Sequence, residues 1–289
     1  MRSRLCNKEV AMKKASNYFV IISRFVKVFL FAAGALLLMA QAVMAQETPG
    51  QGSGAAGAGS TAGSSGEADA LLEAIDSAQR YSSISYIGLI EITQGSRLLK
   101  KQFIANARGS DKVILEFTNP EDKGTRMLCL GSTIWMYFPS EGETVRISGS
   151  LLRQGLMGSN LSYEEVAEGE SLREAYSAQI IKEETLDGRL CKLLKLVSSR
   201  TDISYPVRIL WVDASRKVPL KIELYARSGI LMKTMYVKEI EAIAGRQLPT
   251  RVEIVDALKK NSKTVFSMQS VKIDAAMPDS MFSMEALTK

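Results

Sequence analysis

Residues 111–120 read Asp111-Lys112-Val113-Ile114-Leu115-Glu116-Phe117-Thr118-Asn119-Pro120, and this run decides the class of fold. Val113, Leu115 and Phe117 fall on one side of an extended chain and Lys112 and Glu116 on the other, because successive side chains of a strand point to opposite faces. Asn119-Pro120 stops the run, since proline cannot donate to a central ladder and asparagine favours a turn. The alternation returns at Leu220, Ile222 and Leu224, with Lys221 and Glu223 interleaved. One face of such a segment meets a core and the other meets water, as in an antiparallel sheet.

Period two begins after Tyr81 and holds for most of the chain. Turn signals punctuate it at Gly95-Ser96, Gly109-Ser110, Gly131-Ser132, Glu141-Gly142, Asp187-Gly188, Ser228-Gly229 and Gly245. The segments between them are long for strands and suit a large curved meander of roughly eleven to thirteen strands. A helix is predicted ahead of them over 68–80, with Leu71, Leu72, Ile75 and Ala78 on one face.

Between Ser148 and Glu174 the alternation lapses, and Leu152, Leu156, Met157 and Leu161 fall among Gly and Ser. Ser162 with Glu165 fits a capping box, so a short helix is expected there, and Ser171 with Glu174 offers a second. An apolar, partly helical excursion from a sheet needs a surface to cover. It reads as a lid over the concave face, with those four residues as its apolar contacts.

The first 45 residues stand apart. Arg2, Arg4, Lys8, Lys13, Lys14, Arg24 and Lys27 precede an uncharged apolar stretch from Val28 to Met44, and Val43 and Ala45 stand before Gln46. Basic segment, apolar run and small-residue exit make a secretory signal. An uncleaved anchor is the competing reading, but the run is short for a bilayer and rich in Ala, which favours cleavage. Residues 46–66 form a Gly/Ala/Ser-rich flexible linker, and 67–289 the folded domain. The signal holds 7 of the 37 basic and 1 of the 31 acidic residues, leaving 30 of each over the remaining 244. A formally neutral domain lacks the basic surplus that nucleic-acid binding needs. Cys129 and Cys191 lie in separate strands, as a pair or as two thiols.

The sequence contains no histidine. That excludes Ser-His and Cys-His nucleophiles and histidine metal sites, and no glycine-rich phosphate loop is present. Glu164-Glu165, Glu183-Glu184 and Glu121-Asp122 are adjacent carboxylates that point apart on a strand or helix. No catalytic residue, metal site or cofactor is expected, and a hydrolase has no positive support.

Further motifs cluster after residue 111: Gly124-Thr125-Arg126-Met127-Leu128, Trp135-Met136-Tyr137-Phe138-Pro139, Arg146-Ile147-Ser148 and Gly158-Ser159-Asn160-Leu161-Ser162-Tyr163-Glu164-Glu165. Together they resemble the LolA-like outer-membrane lipoprotein-sorting family over the domain from Ala68 onward. Asn160 stands where typical members carry Asp, and Val145 where a second Arg is frequent. The resemblance implies an incomplete, strongly curved antiparallel barrel, mainly β, with helices over an apolar cavity. It implies a monomeric periplasmic carrier that shields lipid or lipoprotein acyl chains without covalent chemistry. The implied partners are lipid or an acylated lipoprotein, with an inner-membrane transporter and an outer-membrane acceptor. A non-enzymatic envelope sensor or transporter accessory subunit is the alternative on the same fold.

Alternation then assigns the cavity. Val113, Leu115 and Phe117 share a face, as do Met127 and Cys129. On the next segment both faces are apolar, Trp135 and Tyr137 opposing Ile134, Met136 and Phe138, so one meets the cavity and the other a helix or neighbouring chain. Val113, Leu115, Phe117, Met127, Trp135 and Tyr137 are taken as lining residues. Arg126 is placed at the cavity mouth to hold a lipid head group, with a surface strand arginine as the competing reading.

Overall fold

A computed structural model describes residues 65–78, 80–163, 165 and 171–289. The signal segment and nearly all of the linker lie outside the described residues. Helix α1 (Ser65–Ala78) comes first, starting slightly ahead of the predicted position and burying Leu71, Leu72 and Ile75 as expected. Six strands follow: β1 (Ser83–Gln94), β2 (Arg97–Arg108), β3 (Lys112–Phe117), β4 (Arg126–Leu130), β5 (Thr133–Phe138) and β6 (Glu143–Ile147). Residues 148–175 leave the sheet and end in the short helix α2 (Leu172–Ala175). Seven more strands complete it: β7 (Ser177–Leu186), β8 (Arg189–Val197), β9 (Val207–Asp213), β10 (Pro219–Tyr225), β11 (Leu231–Ile243), β12 (Arg246–Asp256) and β13 (Ser262–Ile273). A turn at Asp279–Phe282 and helix α3 (Met284–Thr288) follow.

All thirteen strands form one antiparallel sheet, ordered β6-β5-β4-β3-β2-β1-β13-β12-β11-β10-β9-β8-β7. Strands consecutive in sequence pair with one another except β6 and β7, and at the centre β1 meets β13. The sheet is not closed, and β6 and β7 remain its two edges. So wide a sheet stays open only by curling, and irregularities in the pairing at Ser85/Ile87, Ile180/Lys182 and Val237/Glu239 supply local bends.

Register fixes which side chains share the concave face. Tyr86, Ala105, Leu115, Met127 and Met136 are successive cross-strand partners, and Gly88, Phe103 and Phe117 form the adjacent row. Ile114, Leu128 and Trp135 make the corresponding row on the convex face. Most of the buried apolar side chains lie on the concave side, in one core with α1 and residues of the 148–175 segment. Two smaller clusters sit on the convex side, one of Ile114 and Leu128 with Phe282 and Leu287, the other of Cys191, Leu193 and Trp211. Cys129 belongs to the main core and Cys191 to a convex cluster, and both are free thiols.

Candidate functional site

The concave face is apolar across both halves of the sheet. Val113, Phe117 and Met127 have no exposed surface and Leu115 has 1 %. Ile134 and Met136 join them from β5, and Ile254 and Phe266 from the other half. The concave face is occupied by the protein's own side chains. Three hydroxyls are buried without a partner among the described residues, Tyr81 Oη, Tyr86 Oη and Thr250 Oγ1. Burial holds the Tyr86 phenol well above its ordinary pKa, so it is a proton donor with nothing to donate to.

The cover has two parts. Helix α1 packs on β7, β12 and α2, spanning from an edge strand to a central one. The 148–175 segment supplies Met157, Leu161 and Tyr163, all buried against the core. It contains a compact knot: Gly155 bridges Ser162, and a Cβ on Gly155 would strike the Ser159 carbonyl. Ser162 and Glu165 form the expected reciprocal box, Glu165 N donating to Ser162 Oγ at 3.2 Å and Ser162 N to Glu165 Oε2 at 2.5 Å.

Polar contacts hold this cover to the sheet. Asn160 N donates to Thr264 Oγ1 at 3.0 Å, Asn160 Nδ2 to Ile254 O at 3.3 Å, and Ser262 Oγ to Asn160 Oδ1 at 2.7 Å. An aspartate here could not make the Nδ2 bond, which gives a reason for asparagine in this chain. Gln94 Nε2 donates to Gly158 O at 2.6 Å. Lys233 Nζ lies 2.6 Å from Glu165 Oε2, and both side chains are almost wholly buried. Between the two parts of the cover, Ser171 Oγ donates to Asp76 Oδ2 at 2.6 Å and Arg173 N to the same oxygen at 3.2 Å.

A family profile described only as an uncharacterized protein matches residues 109–289, well over half of the chain. A DUF1329 family protein from Desulfovibrio piger superposes with a TM-score of 0.71 at 23 % identity, over 77 % of this chain and 98 % of that one. A putative outer membrane lipoprotein-sorting protein domain from Vibrio parahaemolyticus gives 0.69 at 17 % identity, over 78 % and 100 %. A LolA superfamily protein from Nitrosomonas europaea gives 0.63 at 24 % identity, over 76 % and 98 %. The chain belongs to the family of the profile that matches residues 109–289, and its fold is LolA-like. No curated protein matches it in sequence.

Within this LolA-like frame the residues expected to line the site divide between two faces. Val113, Leu115, Phe117 and Met127 lie together on the concave side. Trp135 and Tyr137 do not: they pack on the convex cluster with Phe282 and Leu287, and their places are taken by Ile134 and Met136. Both faces of β5 are apolar because the C-terminal turn and α3 cover the outer one. Of the lid residues, Met157 and Leu161 are buried against the core, and Leu152 is half-buried against it. Leu156 belongs to the same turn, and its side chain lies outside the described residues.

Arg126 is not at the mouth of the concave face. It alternates with Met127 onto the convex side, pairs across strands with Tyr137, and its Nε lies 2.9 Å from Glu116 Oε2. It is a half-buried strand arginine paired with a carboxylate on the neighbouring strand. Arg126→Leu is therefore expected to leave lipid content unchanged and to cost under about 1 kcal/mol, the range of a partly exposed pair. Co-purified lipid and a urea melt check this. Changed lipid content at unchanged stability would return Arg126 to the site.

Sequence reading also missed the polar contacts of the cover. Asp76 is the clearest, buried on the apolar face of α1, where burial pushes its pKa up against the bonds from Ser171 and Arg173. A carboxyl whose folded pKa is raised favours folding below the ordinary aspartate range, and that contribution is lost as pH rises through the folded value. Asp76→Asn keeps an acceptor and removes the charge. Its stability relative to wild type should rise between acid and neutral pH, read as a difference of denaturant midpoints. A difference flat with pH would mean that Asp76 ionises freely in the fold.

Proposed function

We propose that this domain carries lipid or lipoprotein acyl chains on its concave face outside the cytoplasm, with the cover displaced while cargo is held. One observation carries the reading: an apolar face spanning both halves of the sheet is closed by separate polypeptide attached through polar contacts. Buried hydrogen bonds and ion pairs add little net stability, since water replaces them on opening, so such a cover can be exchanged for a guest. Each buried methylene favours binding by about 0.8 kcal/mol, and a full acyl chain by on the order of 10 kcal/mol. That is of the size needed to offset the contacts the cover gives up when it moves. Met127, Met136 and Met157 within the closed core suit a surface that must repack, because methionine fills irregular space without fixing it. The orphaned Tyr86 hydroxyl would gain a partner from an ester or amide carbonyl of the guest. The reading needs no covalent chemistry.

The secretory signal read in residues 1–45 supports export to the periplasm. No helix among the described residues is long and apolar enough to cross a membrane. The lipoprotein-sorting description of the Vibrio parahaemolyticus relative supports acyl chains as the cargo.

Native mass spectrometry of protein purified from its own envelope tests this, with Asn160→Ala as comparator. Wild type should carry lipid or acylated peptide that passes to acceptor vesicles. The variant, which loses two buried hydrogen bonds of the cover, should exchange cargo faster and bind a hydrophobic dye more strongly. Protein without lipid in both forms, with no uptake from vesicles, sinks the proposal.

A further inference from the structure

Three neighbouring turns at one end of the sheet carry exposed aliphatic side chains beside basic ones. Leu98 follows Arg97 after the β1–β2 turn, Leu258 precedes Lys259 and Lys260 in the β12–β13 turn, and Ile230 shares the β10–β11 turn with Arg227. The three aliphatics are 53 %, 61 % and 54 % exposed, among the most exposed large apolar side chains described. Backbone bonds tie the turns into one rim: Gly95 N donates to Asn261 O at 2.9 Å and Ala257 N to Met232 O at 2.8 Å.

The acidic groups of this rim are already engaged. Asp256 is held by Lys259 at 3.0 Å and Asp202 by Arg200 at 2.6 Å, and Arg227 Nη2 donates to the Arg200 carbonyl at 2.7 Å. Arg97 and Lys260 have no acidic partner among the described residues. A single exposed Leu needs no explanation, but three on adjacent turn tips, each beside a cation, form a pattern. A folded partner would be met by a continuous apolar patch. Separate aliphatic tips with interleaved cations suit a soft anionic layer, where the tips enter the acyl region and the cations meet phosphates.

We propose that this rim docks on an anionic bilayer, with Leu98, Ile230 and Leu258 entering it and Arg97, Arg227 and Lys260 contacting lipid phosphates. The proposal gives the carrier reading a place of exchange and rests on that reading only for its purpose. The cover is attached at the same end: Gln94 at the end of β1 holds Gly158, and Ser262 and Thr264 at the start of β13 hold Asn160. Docking would therefore act directly where the cover is held.

Vesicle flotation tests it, using protein purified from the producing cells with wild type and variants processed alike. Wild type should float with vesicles containing phosphatidylglycerol, much less with phosphatidylcholine alone, and less as salt rises. Leu98→Ser/Ile230→Ser/Leu258→Ser should weaken partition by at least about ten-fold, given what each aliphatic tip contributes. Arg97→Glu/Lys260→Glu should do the same for anionic vesicles only. All these positions are exposed, so the melting curve should hold and shows that each variant is folded. Equal binding to neutral and anionic vesicles, no flotation of wild type, or wild-type binding by the triple variant overturns the proposal. Lipid content is measured separately: protein that carries lipid but does not float refutes docking alone, and protein that floats empty refutes the carrier alone.

Discussion

Lys233→Met should cost about 3–5 kcal/mol and free the cover from the sheet, the loss expected when one member of a buried ion pair is removed. Lys233 Nζ lies 2.6 Å from Glu165 Oε2 and 5.5 Å from the centre of the Tyr205 ring, so its charge is matched on two sides. Methionine keeps most of the volume and none of the charge. Glu165 would retain the Ser162 N and Oγ bonds at 2.5 and 2.9 Å, but as a buried anion without a counter-charge. The cover would then open to hydrate it. Denaturant unfolding should show the loss, and hydrogen exchange should show faster opening around Leu161 and Tyr163 than in β1 or β13. Adding Glu165→Gln to Lys233→Met should recover much of the stability, because both charges are then gone. A single-variant loss under about 1 kcal/mol would mean that the pair is solvated and holds nothing.

Gly88→Val should cost at least about 3 kcal/mol, at the upper end of overpacking effects. Gly88 is the cross-strand partner of Phe103, and a Cβ built on it falls inside the Phe103 ring. That ring has no exposed surface and packs edge-on to Tyr86 at 6.2 Å and tilted to Phe117 at 5.9 Å. Any side chain at Gly88 evicts it from the middle of the concave face and displaces both neighbours. Thermal unfolding reads the effect. Gly88→Val with Phe103→Ala should be less destabilised than the sum of the two, since the truncation makes room for the insertion. Strict additivity would show that the ring moves aside freely.

The sheet was legible because alternation is a direct image of burial. Val113, Leu115 and Phe117 sit on the face their spacing implies, and so do Ile222 and Leu224, whereas Leu220 packs on the convex cluster beside the register shift between Pro219 and Lys221. Strand β5 is apolar on both faces. Trp135 and Tyr137 alternate with Ile134 and Met136, and when both sets are apolar, period two cannot say which faces inward. The deciding contact comes from Phe282 and Leu287, well over a hundred residues away. Helix α1 and the Ser162–Glu165 box were readable because their signals are local. The contacts of Asn160 with Ile254, Thr264 and Ser262 span about a hundred residues of chain, and nothing near Asn160 announces them. Lys233 was hidden in the same way, reading as one more lysine on a strand.

Pairing the first strand with the last sets the order of assembly. As the chain emerges, β1 to β6 can zip hairpin by hairpin, each closing a short loop at small entropic cost. One edge of β1 then stays bare until the far end of the polypeptide arrives, with Leu89 and Ile87 beside an unsatisfied ladder. The half-finished product is an aggregation-prone template until that strand arrives. Loss of the final strand would leave two half-sheets with no backbone ladder between them, a far heavier injury than its length suggests.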